Sequence, residues 1–301
     1  MSEILRLLRA REFAAAGYLM GWKVVGLLPR PLVARVFRWA ADKASDDGRG
    51  MEQLRRNLTR VVGAENVTRA LVRDALRSYA RYWMEAFRLP RIAADPDLHR
   101  RLTAGVSGRE TFERSLARGR GVILVLPHTG NWDMAGMWLV KNYTSFATVA
   151  ERVKPEALYQ AFVDYREELG FEVLAHSGDR PPFSRLKEVL IDGGVVCLLG
   201  ERDLKQSGIE VEFFGETATF PAGTAQLAIE TGANIHVVHA WFTDDGWGLK
   251  ANEPVEVTTV AETTQRIADE FAENIRAHPT DWHMLQPLWV ADVPKKAKKA
   301  D

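Results

Sequence analysis

The segment Val122-Ile-Leu-Val-Leu-Pro127-His128-Thr129-Gly130-Asn131-Trp132-Asp133 decides the fold. Its apolar run is too short for a helix, ends at a proline, and reads as a strand buried on both faces. Strands of that kind belong to parallel sheets covered by helices on both sides. Gly130 permits a tight turn, and Asn131 is a good cap for a helix that carries Asp133. His128 then falls in the crevice at the carboxyl end of a strand, where open α/β sheets bind ligands. A histidine there is able to take a proton from an alcohol, and a nearby carboxylate fixes its tautomer.

Downstream of Gly121, apolar runs alternate with amphipathic segments. Strands are expected at Gly121–Leu126, Phe146–Val153, Phe171–Ala175, Val195–Leu199 and Ile235–Phe242, and helices at Asp133–Asn142, Pro155–Leu169, Pro182–Ile191 and Thr224–Thr231. A last helix, about 262–277, buries Ile267, Phe271 and Ile275. This alternation predicts an α/β fold, a central mostly parallel sheet with helices on both faces. Residues 1–101 read as helices only, an N-terminal helical cover, with Pro31 early in a helix, a break at Asp46-Asp47-Gly48, and helices through Met51–Val62 and Thr68–Leu89. The expected organisation is a single domain over residues 1–301: a basic helical portion (1–101), an α/β portion (102–290) and a basic tail (291–301).

With 301 residues, 46% of them hydrophobic, the chain builds a substantial core and is neither disordered nor disulfide-stapled. Its one cysteine, Cys197, lies in an apolar run and reads as a buried strand residue rather than a reactive thiol. The zero net charge divides into +9 for residues 1–101 and −9 for residues 102–301. That asymmetry suggests either a basic surface for an anionic partner, membrane or nucleic acid, or a charge match between packed layers. Arg69, Arg73, Arg77 and Arg81 recur every fourth position, where like charges repel unless the face is solvated or an anion, such as a phospholipid head group, lies near. Few aromatics interleave them, which argues against single-stranded nucleic acid. The apolar stretch Phe13 to Leu28 is broken by Lys23 and too short to span a bilayer. Preceded by Arg6, Arg9 and Arg11 and accompanied by Trp22, Phe37 and Trp39, it reads as a helix lying in a membrane surface or as an ordinary core helix.

Several chemistries lack their motifs. There is no Gly-rich nucleotide loop and no two-histidine metalloprotease helix, and Gly105-Val106-Ser107-Gly108-Arg109 misses the serine-hydrolase elbow. His236 and His239 lie three apart in a strand, face opposite sides, and chelate poorly. No metal site is expected.

The His128-to-Asp133 hexapeptide matches the His-x4-Asp motif of glycerolipid and lipid A-type acyltransferases. The chain resembles most closely their actinobacterial phosphatidylinositol mannoside branch. Glu151-Arg152-Val-Lys-Pro155, Arg166-Glu-Glu-Leu-Gly170, Gly200-Glu201-Arg202-Asp203, Phe213-Phe214-Gly215 with Pro221-Ala-Gly-Thr224, and the ending Asp281-Trp282-His283-Met-Leu-Gln-Pro-Leu-Trp289 agree with it. The resemblance implies transfer of a palmitoyl group from acyl-CoA, a co-substrate rather than a cofactor, at the cytoplasmic face of the plasma membrane. The implied acceptor is the 6-hydroxyl of the mannose on the inositol 2-position of phosphatidylinositol mono- or dimannoside.

Under that reading His128 is the base, Glu201 its charge-relay partner and Asp133 a motif carboxylate. Glu201 closes the strand Val195–Leu199 at the same sheet edge as His128, and which carboxylate touches the imidazole stays open. Glu151 and Arg166 match substrate-lining positions or form structural ion pairs. Phe213, Phe214, Trp132 and Met137 wall an acyl groove or belong to the core. The rival readings are an acyl-CoA thioesterase, a different glycolipid or lipid A-type acyltransferase, and a non-catalytic lipid-binding protein.

Overall fold

The computed structural model describes residues 13–152, 154, 156–176, 181–203 and 207–293. Arg6, Arg9 and Arg11, Val153 and Pro155 of the Glu151 motif, and the lysines of the tail lie outside the described residues.

Seven strands form the main sheet: β1 (Val106–Ser107), β2 (Val122–Leu126), β3 (Phe146–Ala150), β4 (Phe171–Ala175), β5 (Val195–Leu199), β8 (Asn234–Phe242) and β9 (Trp247–Val255). Their order is β1-β9-β8-β2-β5-β3-β4. The strands from β8 to β4 are mutually parallel, and β9 runs antiparallel to β8, so the mostly parallel sheet expected from the sequence is present. The separate hairpin β6 (Ile209–Phe213) and β7 (Glu216–Phe220) was not anticipated, nor were β1 and β9. The hairpin turns at Phe214 and Gly215, both at positive φ, the pairing that a two-residue hairpin turn requires.

β2 shows why the sheet is buried on both sides. Val122, Leu124 and Leu126 face one core cluster, with Met134, Trp138 and Leu139 of α8 (Trp132–Asn142) and Tyr159 and Val163 of α9 (Glu156–Glu168). Ile123 and Val125 face the other, with Leu186 and Leu190 of α10 (Pro182–Ile191), Leu227 of α11 (Gly223–Thr231), and Ile267, Phe271 and Ile275 of α12 (Val260–Ala277). The period of two in the strand is what feeds both layers. Phe213 and Phe214 pack on this second side against Trp282 and Trp289, so they are core and wall no groove.

The N-terminal part is helical, as expected: α1 (Phe13–Leu27), α2 (Arg30–Ala44), α3 (Glu52–Val62), α4 (Arg69–Phe87), α5 (Leu89–Ala93) and α6 (Leu98–Ala104), with α7 (Arg109–Leu116) following β1. Thr68 caps α4 by accepting from the Leu71 amide. The arginine line on α4 is not an open anion-binding face. Arg69 pairs with Asp47 at 2.9 Å, Arg73 with Asp47 and Asp74, and Arg77 with both oxygens of Asp42 at 2.6 and 2.7 Å. Arg81 donates to Glu85 and to the carbonyls of Thr243 and Gly246. Carboxylates of α2, of the turn after it and of α4 itself relieve the repulsion that the spacing creates; they belong to residues 1–101 as well, so they leave the +9 of that segment unchanged. Farther along, Arg60 bridges Glu216 and Asp292.

None of the described helices is long and apolar enough to cross a membrane. Instead α1 and α2 leave Phe13, Met20, Val24, Leu27, Leu32, Val36 and Trp39 exposed, Leu27 to 76% and Trp39 to 61%.

Candidate active site

Strand register brings the first two site residues together. Leu126 of β2 is level with Leu199 of β5, its parallel neighbour, and His128 and Glu201 each follow two residues later. The His128 amide donates to Glu201 Oε1 at 2.6 Å, and the ring Nδ1 lies 3.0 Å from the same oxygen as an electrostatic contact without hydrogen-bond geometry. Trp282 Nε1 also donates to Oε1, at 3.4 Å. Glu201 is fully buried. Burial pushes its carboxyl up, and the His128 ring and amide beside it outweigh burial, holding it below the ordinary glutamate value. Nδ1 faces the carboxylate, so Nε2 is the ring nitrogen on the opposite edge of a side chain that keeps 16% exposure.

The loop carrying His128 is pinned throughout. Gly130 has φ of +55°, and a Cβ there would stand 2.7 Å from the Ala240 backbone, so only glycine fits. Its amide donates to the Asp281 carbonyl, and the His283 amide donates to the His128 carbonyl at 2.7 Å. Asn131 caps α8, its Oδ1 accepting from the amides of Asp133 and Met134.

Asp133, the second motif residue, does not touch the imidazole through any hydrogen bond or ion pair. It is buried and forms a two-pronged pair with Arg166 of α9, Nε to Oδ1 at 2.8 Å and a terminal nitrogen to Oδ2 at 3.1 Å. Burial opposes the Arg166 charge, but Asp133 and Tyr82 outweigh it and its pKa is raised. The Tyr82 phenol, buried beside the pair, is pushed well above its usual value by burial and by the charge of Asp133. Glu151 follows β3 at the mouth of the site, exposed and 3.7 Å from Arg202.

These groups open onto a cavity of about 500 Å³ between the sheet and α8 and α9. His128, Asp133, Glu151, Arg166 and Arg202 line it, together with Trp132; Met137 is buried elsewhere in the same core. Its floor is a largely apolar row of Leu249, Val238, Leu124, Cys197, Thr148 and Val173 from six neighbouring strands, broken by the Thr148 hydroxyl. Five strand spacings make that row about 24 Å long. Burial pushes the Cys197 thiol far up, so it stays protonated as part of the apolar floor. His236 bonds Ser115 and the Asn252 carbonyl, whereas His239 faces Thr129 and stacks with Trp241; the two point to different sides and share no ligand position.

Residue-level reading missed Tyr82, Arg202, Trp282 and His283 as parts of the site. The ending Asp281-Trp282-His283 stood out as a motif, yet its placement against the His128 loop is a tertiary fact. The Thr129–Trp282 bridge and the Trp282–Glu201 bond show why that ending goes with the His-x4-Asp motif.

The family model for bacterial lipid A biosynthesis acyltransferases matches residues 4–291. The chain is 52% identical over 284 residues to a phosphatidylinositol mannoside acyltransferase of Mycolicibacterium smegmatis, covering 92% of this chain and 91% of that protein. It is 51% identical over 281 residues to a protein of the same name from Mycobacterium tuberculosis, covering 92% and 88%. A whole-chain family match, together with the histidine-bearing cleft built from that family's motif, means that this protein belongs to the bacterial lipid A biosynthesis acyltransferase family and is an acyltransferase.

Proposed function

We propose that the protein transfers a long fatty acyl group, typically palmitoyl, from acyl-CoA to the 6-hydroxyl of the mannose on the inositol 2-position of phosphatidylinositol mono- or dimannoside. The observation that carries this reading is the His128–Glu201 pair at the mouth of an apolar cavity, in a chain half-identical to acyltransferases named for that glycolipid.

In the proposed mechanism, Nε2 of His128 takes the proton of the mannose hydroxyl as its oxygen attacks the thioester carbonyl. Glu201 stabilises the imidazolium from the Nδ1 side. The tetrahedral adduct collapses by breaking the carbon–sulfur bond, and the imidazolium returns the proton to the departing CoA sulfur. No side chain is acylated, and no cofactor enters the balance. The acyl chain lies along the apolar row, where each buried methylene contributes about 0.8 kcal/mol. Glu151, Arg166 and Arg202 at the mouth supply charge for the polar ends of the two substrates. The exposed apolar residues of α1 and α2, with Lys23, Arg30, Arg35 and Arg38, support peripheral attachment to an anionic membrane surface at the cytoplasmic face.

The test is mass spectrometry of lipids after incubation with palmitoyl-CoA and purified phosphatidylinositol mannosides. Acylated glycolipid and acceptor-dependent CoA release are expected. The folded His128→Ala variant should fall by about 10²–10⁴-fold. Acceptor-independent CoA release would instead indicate a thioesterase, and near-normal turnover in His128→Ala would remove the base from the mechanism.

A further inference from the structure

Glu85 belongs to α4, outside every motif of the site, and is buried. Three N–H donors converge on its carboxylate. Asn131 Nδ2 and Trp247 Nε1 both donate to Oε2 at 2.7 Å, and Arg81 Nε donates to Oε1 at 3.0 Å. Arg81 is itself held by the carbonyls of Thr243 and Gly246 and lies over the Phe242 ring at 4.1 Å. One carboxylate therefore ties the helical cover, the β8–β9 turn and the cap of α8 together.

The geometry points to Glu85 as a positioning residue for the transfer reaction, acting through Asn131 on the loop that carries His128. An Asn side chain has an acceptor end and a donor end. Here the acceptor must face the Asp133 and Met134 amides to cap α8, and among the described residues Glu85 takes the donor end. Neither Glu85 nor Asn131 lines the cavity, so the effect on chemistry passes through the loop. Without Glu85, two buried donors lose their acceptor, and the loop relaxes to satisfy them. The inference rests on His128 acting as the base.

The experiment compares Glu85→Leu with Glu85→Gln in the full-length enzyme, reading kcat and the KM for palmitoyl-CoA on protein whose folding is checked by its thermal melt. Glutamine keeps a carbonyl oxygen toward Asn131 and Trp247, and its NH2 opposes the Arg81 Nε–H donor to donor, so its melt should fall while its kcat stays close to wild type. Leucine should lose about 10²-fold in kcat, the cost of a small misplacement of a reacting group, with KM unchanged. Asn131→Ser keeps a capping oxygen but is too short to reach Glu85, and should lose kcat in the same way; it carries the test if Glu85→Leu does not fold. Wild-type kcat in a folded Glu85→Leu, or in Asn131→Ser, while His128→Ala is inactive overturns the positioning role alone. So does an equal loss in the glutamine and leucine variants. An active His128→Ala overturns the base, and this inference with it.

Discussion

Replacing Asp133 by asparagine separates two roles that a motif carboxylate can play. In the structure its partner is Arg166, whose side chain keeps only 16% exposure and whose guanidinium is met by both Asp133 oxygens. Asparagine preserves volume and the first turn of α8 but leaves a buried cation facing a neutral amide. Breaking a buried pair from one side costs about 3–5 kcal/mol. At an m-value of about 3 kcal/mol/M, the urea midpoint should fall by about 1–1.7 M. Turnover should fall as well, because both residues line the same cavity as His128. The control is Asp133→Leu combined with Arg166→Met, which removes both charges. It should recover most of the stability, since a well-packed apolar pair replaces a desolvated ionic one, but not the activity. The assay is urea unfolding followed by tryptophan fluorescence, with turnover measured on the same preparations. A wild-type midpoint for Asp133→Asn, with turnover lost, would refute this reasoning and make Asp133 a partner of the imidazole instead.

Leu32→Ser, Val36→Ser and Trp39→Ser together should weaken sedimentation with anionic vesicles, whereas Arg73→Gln with Arg77→Gln should lower the unfolding midpoint and leave sedimentation unchanged, because those arginines are engaged by Asp42, Asp47 and Asp74. Stability should fall as pH drops from about 6.5 toward 3, the values between which His283 and His239 take up protons when unfolded but not when folded. Burial first, and then His128 for His283 or His278 and Lys250 for His239, depresses these imidazoles. The unfolded chain therefore binds more protons in that window, and the slope of stability against pH is positive there. His283→Gln should flatten that slope in pH-dependent denaturation. Gly136→Ala should shift the preferred acyl chain shorter in a chain-length series, because its Cβ would stand 2.7 and 2.9 Å from the ring ends of Phe171 and Phe146 and drive those rings into the cavity.

Much of this was legible where it depended on local pattern. β2, β4 and β5 follow from short apolar runs, and α8 from the Asn131 cap. His128 and Glu201 at one sheet edge follow because each lies just past an apolar strand. Their contact does not follow, since it requires β5 to insert between β2 and β3, and chain order says nothing about that. The same limit applies to Asp133, whose partner lies 33 residues on in α9. The α4 arginines have the spacing of an anion-binding face, yet their anions come from α2, the turn after it and α4 itself. The β6–β7 hairpin carried a signal in Phe213-Phe214-Gly215, where glycine marks the turn. Residue chemistry alone left Phe213 and Phe214 undecided between groove and core, because only the sheet face they cover distinguishes the two.

The loop from Pro127 to Asn131 explains why the family's motifs are scattered while the chemistry is local. A histidine that acts as a base needs its ring held against a carboxylate, and a strand-to-helix turn of five residues cannot fix itself. Glu201 from the neighbouring strand takes the His128 amide, the Asp281–His283 segment takes the Gly130 amide and the His128 carbonyl, and Glu85 of the helical cover takes Asn131. Each clamp comes from a different layer, and each is a buried polar contact that stabilises only when fully partnered. The helical cover is thus continuous with the active site through Glu85 and Tyr82, which stacks on Trp132 at 4.0 Å. The helices that leave apolar side chains exposed, α1 and α2, pack on α4, the same helix whose Glu85 holds Asn131 of the His128 loop.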